Sequence, residues 1–341
     1  MNAEKSTPEG EPMMTIRMCF FAALTMCAAA ALAPQARAGY IFTTFDGPPD
    51  NGGGTTVNGI NNNGALVGFS TNAAMNAFTN FIRNPDGTFT LLTLPATAQA
   101  NGVNNGNEVV GGNGNNAIDF KNGNLTNLPP ANPGNTVSEV AFGINDKGVI
   151  VGQYVDNVTD TTPGFVLANG KFTILNPTVT ATVTNAQGIN NNGLVTGFWS
   201  ADGVHQHPFL FNTLNSTFTL PADPVIPNLV LTQFLGINDR DQVVGYYQLP
   251  DGSQHGLFYD IATQTYTFLD DPNAAKTGFS ITQITGINNA GEITGFYQDV
   301  NGVQHGFFAT TAPEPSSLAL LGIGLAGSLG YARRRRMTIR A

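Results

Sequence analysis

The chain has 341 residues and a formal net charge of −9, and its stretch from Gly39 to Ala312 holds six Lys or Arg against 19 Asp or Glu. A body this acidic has no clustered cations to neutralise phosphates, which excludes nucleic acid as a partner. Both cysteines, Cys19 and Cys27, fall in the first 38 residues, so the remainder has no disulfide and no thiolate chemistry.

Residues 1–38 are predicted to be a secretory signal peptide. Arg17 supplies positive charge, and an apolar run follows from Met18 to Leu32. Ala36-Arg37-Ala38 is a small-residue cleavage site, with cleavage expected between Ala38 and Gly39. A membrane anchor is the alternative, which we disfavour because the apolar run is short for a bilayer span.

The body begins with a predicted strand, Tyr40 to Asp46, in which apolar and polar residues alternate before the turn Gly47-Pro48-Pro49. Segments of the same type occur five more times, as in Thr265 to Asp271. A twelve-residue phrase then recurs, of the form Gly-(Ile/Val)-Asn, a polar turn, two or three apolar or Thr residues and a second Gly. Its six copies begin at Gly59, Gly102, Gly143, Gly188, Gly236 and Gly286.

Each phrase is predicted to be two strands joined by a tight hairpin. Asn63-Gly64 and Asn192-Gly193 are typical of type I′ turns, in which both residues have positive φ. The strand after the turn, as in Ala65 to Phe69, is apolar on both faces, so both of its faces must be covered.

A further strand follows each hairpin. Its copies are Asn76-Ala77-Phe78, Asn116-Ala117-Ile118, Pro163-Gly164-Phe165, His207-Pro208-Phe209, His255-Gly256-Leu257 and His305-Gly306-Phe307. With the Gly-Ile-Asn phrases, these segments resemble the HAF repeat of bacterial extracellular proteins over most of residues 59–308. Only the last three copies keep the His, and none has His-Ala-Phe intact.

The spacing of the repeats predicts the fold. Successive phrases start 43, 41, 45, 48 and 50 residues apart, a period typical of four-stranded propeller blades. The body starts on the strand type that closes a unit and stops one strand short, so Tyr40 to Asp46 would complete the last blade. We therefore predict an all-β, six-bladed β-propeller over residues 39–311, closed by the N-terminal strand. The alternative, an open β-solenoid, needs polar caps that the sequence lacks.

The C-terminal end carries a sorting pattern. Pro313-Glu314-Pro315 precedes an apolar run from Ser316 to Ala332, and the cluster Arg333, Arg334, Arg335 and Arg336 follows. The run predicts a single transmembrane helix of about 25 Å, and the arginines predict a cytoplasmic C-terminus with the body on the other side of the membrane.

Residues 312–336 resemble the PEP-CTERM sorting signal, with residues 337–341 as a short tail. The resemblance implies that Pro313, Glu314 and Pro315 are recognised by exosortase, an integral-membrane processing enzyme of bacteria that make exopolysaccharide. It also implies that the apolar run is a temporary anchor in the inner membrane. A plain C-terminal membrane anchor is the alternative.

Few residues are candidates for chemistry. His207, His255 and His305 occupy equivalent positions in successive repeats, so they could ligate a metal or serve as repeat residues that bond loop backbone; we favour the second interpretation. The phrase asparagines Asn61, Asn104, Asn145, Asn190, Asn238 and Asn288 could ring a central channel, but an Asn that caps its own turn is the simpler account.

The acidic residues show no catalytic pattern, and we predict neither catalytic residues nor a cofactor. Asp270-Asp271 and Asp239-Arg240-Asp241 are interpreted as solvated turns. The stretch from Asp46 to Asn51 is rich in oxygen ligands for calcium but lacks the spacing of an EF-hand loop. Aromatic pairs such as Phe296-Tyr297 are expected mainly to pack between blades.

These features together predict an exported protein, sorted by exosortase and destined for the outer surface or the extracellular matrix. We expect a non-enzymatic binding or structural module whose partners are exopolysaccharide or other surface proteins. The alternative is a polysaccharide hydrolase or lyase with its site at the mouth of the propeller channel.

Overall fold

A computed structural model describes residues 39–48 and 52–312. The predicted signal peptide, the residues Pro313 to Arg336 and the predicted transmembrane helix lie outside the described residues. Within the described ranges, no helix has the length and apolar character that crossing a membrane requires.

Residues 40–312 form one compact unit, whose described part contains 24 strands. They are β1 Tyr40–Phe45, β2 Gly52–Ile60, β3 Leu66–Asn72, β4 Phe78–Arg83, β5 Phe89–Leu91, β6 Ala98–Val103, β7 Val109–Asn113, β8 Asn116–Lys121, β9 Asn124–Asn127, β10 Thr136–Ile144, β11 Ile150–Asp156, β12 Gly164–Ala168, β13 Lys171–Leu175, β14 Val183–Ile189, β15 Leu194–Ser200, β16 His207–Asn212, β17 Thr217–Thr219, β18 Leu231–Ile237, β19 Gln242–Gln248, β20 Gln254–Asp260, β21 Thr265–Phe268, β22 Thr282–Ile287, β23 Ile293–Gln298 and β24 Gln304–Thr311.

The strands form six separate four-stranded antiparallel sheets, five of them built from four consecutive strands. The sixth has the order β1-β24-β23-β22, because β1 joins as the outermost strand. Its register runs from Tyr40 opposite Thr311 to Phe45 opposite Gly306. This confirms the predicted six-bladed β-propeller and its closure by the N-terminal strand.

The first strand of every blade is innermost. The connections between strands lie on two opposite faces of the propeller, which we call the hairpin face and the loop face. The hairpin face carries the turn between the first and second strands, as at residues 61–65. The loop face carries the connections between second and third strands, as at 157–163, and those between blades, as at 269–281. The second strand is covered on both sides, as expected: in β3 every residue from Leu66 to Thr71 is buried.

The hairpin turns differ from the prediction. Gly64 N donates to Asn61 O (3.1 Å) and Asn61 N donates to Ala65 O (3.0 Å). Only Gly64 (φ 80°) has positive φ in this loop, so the loop is a type I turn followed by one left-handed residue. The type I′ prediction at Asn63-Gly64 and Asn192-Gly193 is therefore wrong. The reason is that the Asn61 side chain accepts from the backbone of the turn, which holds its first residues in right-handed conformations.

The first glycine and the second glycine of each phrase, which flank the turn, are required because backbone atoms of neighbouring strands come close to them, and not because of their φ angles. A Cβ on Gly143 would lie 2.6 Å from Gln187 O and 3.2 Å from Gly188 Cα of the next blade. Equivalent contacts join Gly59, Gly102, Gly143, Gly188, Gly236 and Gly286 into a closed collar around the axis. A Cβ on the second glycine, as at Gly152, would lie 2.1 Å from a carbonyl oxygen of the first strand of the same blade, that of Val140. Any side chain at either position would push strands apart.

The third strand of the first blade is also placed differently from the prediction. Gly68 pairs with Phe81, just as Gly295 pairs with Phe307 in the last blade. The equivalent triplet is therefore Thr79-Asn80-Phe81, and the prediction of 76–78 is wrong. Phe81 is fully buried, whereas Phe78 begins the strand and packs against Phe69, with ring centroids 5.0 Å apart.

Candidate functional site

The channel is closed on the hairpin face by a ring of six buried asparagines, one from each phrase. Each side-chain oxygen accepts from two backbone N–H groups of its own turn; for Asn190 these are Asn192 N (3.1 Å) and Leu194 N (2.9 Å). Each Nδ2 donates to the carbonyl of the same asparagine in the next blade. The N···O distances are 2.9 Å from Asn61, 3.4 Å from Asn104, 3.1 Å from Asn145, 3.1 Å from Asn190, 3.0 Å from Asn238 and 3.3 Å from Asn288. The asparagines both cap the turns and join the blades.

The next residue of each phrase forms a second closed ring. Its members are Asn62, Asn105, Asp146, Asn191, Asp239 and Asn289, and each backbone N–H donates to the side-chain oxygen of the member in the following blade at 2.7–2.9 Å. Asp146 Oδ2 also accepts from Asn105 and Asn191, and Asp239 Oδ2 accepts from Asn191 and Asn289.

These two rings leave little room at the hairpin face, and the two carboxylates among the described residues that line this space, Asp146 and Asp239, both accept hydrogen bonds from neighbouring blades. The rings line a cavity of about 60 Å³ together with the Ile or Val of each phrase. Burial raises the pKa of Asp239, but the amide donors of Asn289 and Asn191 outweigh it, so that the pKa lies below its usual range. Asp239 therefore belongs to the hydrogen-bonded structure of the rim. The interpretation of Asp239 as a solvated turn residue is wrong.

A larger chamber lies on the loop-face side of the glycine collar. In every blade the residue before the collar glycine is an extra residue in a β-bulge, as between Ala186 and Gly188, and a bulge re-aims the side chain it carries. These bulge residues are Asn58, Asn101, Phe142, Gln187, Leu235 and Thr285, and with Gln233, Gln283 and Phe296 they line a chamber of about 200 Å³. Of the described residues that line it, none is ionisable.

The amide groups of the chamber are held in fixed orientations. Asn58 Nδ2 donates to Ala100 O (3.0 Å) and Asn101 Oδ1 (3.1 Å), and Asn101 Nδ2 donates to Ala141 O (2.9 Å). Gln187 Nε2 donates to Asn185 Oδ1 (3.0 Å). Two further glutamines donate outward to the loop face: Gln233 to Gln206 and Gln283 to Gln254.

The three histidines lie on the loop face, each in its own blade. Each Nδ1 lies within hydrogen-bond distance of a carboxylate that follows the outermost strand: His207 of Asp223 (2.6 Å), His255 of Asp270 (2.8 Å) and His305 of Asp46 (2.7 Å). Each imidazole also packs on an aromatic ring of the second strand, Trp199, Tyr247 or Tyr297, with centroids 5.1–5.3 Å apart.

The histidines are not brought together into one site. Within residues 39–48 and 52–312, no group of three or more His, Cys, Asp or Glu side chains is placed to hold a metal ion. The expected bond from His to loop backbone is replaced by a bond to a carboxylate. The Gln that precedes each His makes a hydrogen bond to the next blade. The side chain of Gln304, for example, donates to Thr55 O (3.1 Å) and Thr56 Oγ1 (2.7 Å).

Between the fifth and sixth blades, a cavity of about 380 Å³ on the loop face is lined by His255, Asp270, Asp271 and Lys276, among others. Asp271 is only 2% exposed, so the prediction that it is a solvated turn residue is wrong. Its Oδ1 accepts from Asn273 N (2.8 Å), while its Oδ2 has no hydrogen-bond partner in the described structure. Burial raises the pKa of this carboxyl.

Sequence reasoning missed the bulge residues. The six residues before the collar glycines are of five types, with only Asn occurring twice, while the glycine, the Ile or Val and the Asn that follow are nearly invariant across the repeats. That variation within an otherwise uniform phrase was the available signal.

Comparison with known proteins adds a motif and a fold. The fold and the channel define a six-bladed β-propeller with an uncharged axial chamber. Residues 311–336 match the PEP-CTERM protein-sorting motif, which implies export, a membrane anchor in transit and processing by an exosortase-type enzyme. No curated protein matches the chain, and the resemblance to HAF repeats finds no support.

Among solved structures, a gluconolactonase of Xanthomonas campestris is 14% identical, with a TM-score of 0.50, over 83% of this chain and 93% of its own. A lectin of Aleuria aurantia is 10% identical, with a TM-score of 0.42, over 79% and 100%. An oligogalacturonate lyase of Vibrio parahaemolyticus is 11% identical, with a TM-score of 0.42, over 82% and 99%. At these identities the likeness concerns the fold alone.

Proposed function

We propose that the protein is an exported, non-enzymatic binding module of the cell surface or extracellular matrix, associated with exopolysaccharide. The observation that carries this proposal is the distribution of charge along the axis. At the hairpin face the two carboxylates of the rim, Asp146 and Asp239, are bound by amide groups of neighbouring blades. The chamber, where there is room for a ligand, is lined by uncharged side chains.

This distribution supports binding rather than acid–base catalysis at the channel. Glycoside hydrolysis usually needs a carboxylic acid with a raised pKa and a second carboxylate about 5–10 Å away across the sugar. The pKa of Asp239 is lowered by its amide donors, which keeps it ionised and unable to act as a general acid. Export through the sorting motif supports a location where polysaccharide is abundant.

The test uses the compact unit, residues 39–312, purified and incubated with exopolysaccharide from the producing bacterium. Co-sedimentation with the polysaccharide is the expected result, and release of reducing ends or of unsaturated sugars is not expected. Failure to bind matrix polysaccharide or any surface component of that bacterium would refute the proposal, as would turnover of the polysaccharide.

A second candidate function, polysaccharide hydrolysis or elimination, is favoured by Asp271. A buried carboxyl with a raised pKa and an unpaired oxygen, beside Asp270 and His255 in a cavity, has features of a general acid. This would move the enzyme site from the channel mouth to the loop face between two blades. The test is the release of reducing ends or unsaturated sugars from the polysaccharide. Release that is lost in a folded Asp271→Asn variant but kept in Asp146→Asn would establish this enzymatic function in place of the binding function.

A further inference from the structure

We infer that the axial chamber is a binding site for one uncharged sugar unit at the end of a polysaccharide chain. This inference rests on the proposed function and adds the chemical class of the ligand and the residues that recognise it. Three properties of the chamber carry it: its lack of charge, the direction of its amide groups and the size of the two cavities on the axis.

The lack of charge selects against ionised ligands. The body of the protein carries 19 acidic residues, yet the described residues around the chamber are amides, Phe, Leu and Thr. An ionised carboxylate or ammonium group that entered would lose its hydration without gaining a counter-charge, and that cost is large. A neutral ligand avoids this cost.

The direction of the amides selects a ligand that donates hydrogen bonds. Asn58 Nδ2 donates to two protein acceptors, and the nitrogens of Gln187, Gln233 and Gln283 each donate one of their two N–H groups to the protein. In the described part of the chain no group donates to the side-chain oxygens of these four residues, so acceptors remain available around the chamber. An uncharged ligand with many donors is a polyhydroxylated one. Phe142 and Phe296, both half-buried, add apolar surface for the C–H faces of a sugar ring.

The sizes of the cavities select a chain end. The chamber, at about 200 Å³, falls just below the roughly 300–1,000 Å³ of sites for larger small molecules, which suits a single ring. On the other side of the collar the cavity is only about 60 Å³ and is bounded by the closed asparagine rings. A polysaccharide therefore cannot thread the axis, and only its terminal unit can enter from the loop face.

The test titrates residues 39–312 with the methyl glycosides of glucose, galactose and mannose, and with glucuronate and glucosamine as charged analogues, by saturation-transfer NMR and calorimetry. At least one neutral glycoside is expected to bind saturably and about tenfold or more tightly than either charged analogue. The double variant Gln187→Leu/Gln233→Leu removes two acceptors at similar size and should weaken that binding about tenfold. Asn116→Leu, an exposed amide at the start of β8, is the matched control and should bind normally.

A single charge provides a second test that does not depend on loss of binding. Gln187→Glu places a carboxylate in the chamber and should improve binding of glucosamine relative to the neutral glycosides, with an unchanged circular dichroism spectrum. The inference is overturned if no neutral glycoside binds, or if binding is the same in the chamber variants and the control. If the chamber variants still bind matrix polysaccharide, only the chamber assignment fails. If glycosides bind but matrix polysaccharide does not, only the proposed function fails.

Discussion

The ring of asparagines should be a major source of stability, and Asn190→Ala measures it. Asn190 is 3% exposed and makes four hydrogen bonds: it accepts from Asn192 N and Leu194 N, and it donates to Asn238 O (3.1 Å) and Asp241 Oδ1 (3.2 Å). Each bond contributes about 0.5–1.5 kcal/mol, and the alanine leaves two backbone N–H groups and a carbonyl without these partners. We expect a loss of about 3 kcal/mol in the free energy of unfolding.

Asn192→Ala, two residues away in the same turn, is the matched control. Asn192 is exposed and donates one bond, to Asp239 O (3.1 Å), so we expect a loss of about 0.5 kcal/mol. Urea unfolding followed by circular dichroism and by fluorescence of Trp199, the only Trp of the chain, gives both values. At roughly 2–4 °C per kcal/mol, the melting temperature of Asn190→Ala should fall by about 6–12 °C. Losses within 1 kcal/mol of each other in the two variants would refute the bridging role of the ring.

Three more predictions concern the collar, a buried acid and the closing strand. Gly143→Ala should prevent folding or lower the free energy of unfolding by about 3 kcal/mol or more, because its Cβ would lie 2.6 Å from a backbone oxygen; a urea midpoint equal to that of the wild type would contradict this. Burial raises the pKa of Asp271, so its ionisation costs stability as pH rises through the folded-state pKa. Asp271→Asn should therefore have a higher free energy of unfolding than the wild type at pH 7, and the difference should disappear below the unfolded-state pKa. Urea unfolding across pH 3–8 measures this difference, and a constant or reversed difference would contradict the reasoning. Deleting residues 39–48 uncovers the fully buried Phe307 and should abolish cooperative thermal unfolding, with rescue by the corresponding peptide; cooperative melting without that peptide would be inconsistent with the closure.

The propeller could be predicted from sequence because its evidence is periodic and local. Four-stranded units at a regular spacing, together with the phase of the strand at Tyr40, are sufficient to indicate a closed ring. The turn type could not be predicted in this way. Asn-Gly alone favours type I′, but the side chain of Asn61, which accepts from the backbone two and four residues later, selects a type I turn whose fourth residue, Gly64, is left-handed.

The histidine positions illustrate a different limit. Their equivalence in three repeats is visible in the sequence, but their partners are distant or irregularly spaced along it. Asp223 and Asp270 follow their histidines by 16 and 15 residues, and Asp46 precedes His305 by 259 residues. Only the paired register of β1 with β24 brings that last pair together, so a local motif search cannot find it.

Within each phrase, the positions that hold the ring together can be distinguished from the position that lines the chamber. Three consecutive positions, the collar glycine, the Ile or Val and the capping Asn, are fixed by contacts to the next blade, and a change at one of them disturbs the ring. The side chain at the preceding bulge position leaves the sheet and lines the chamber, and in three blades it also donates to a carbonyl of the next blade, from Asn58, Asn101 and Thr285. Its six residues are Asn58, Asn101, Phe142, Gln187, Leu235 and Thr285. The bulge position therefore places five residue types around one chamber while the three positions after it stay nearly constant, which is the physical reason to seek ligand specificity there first.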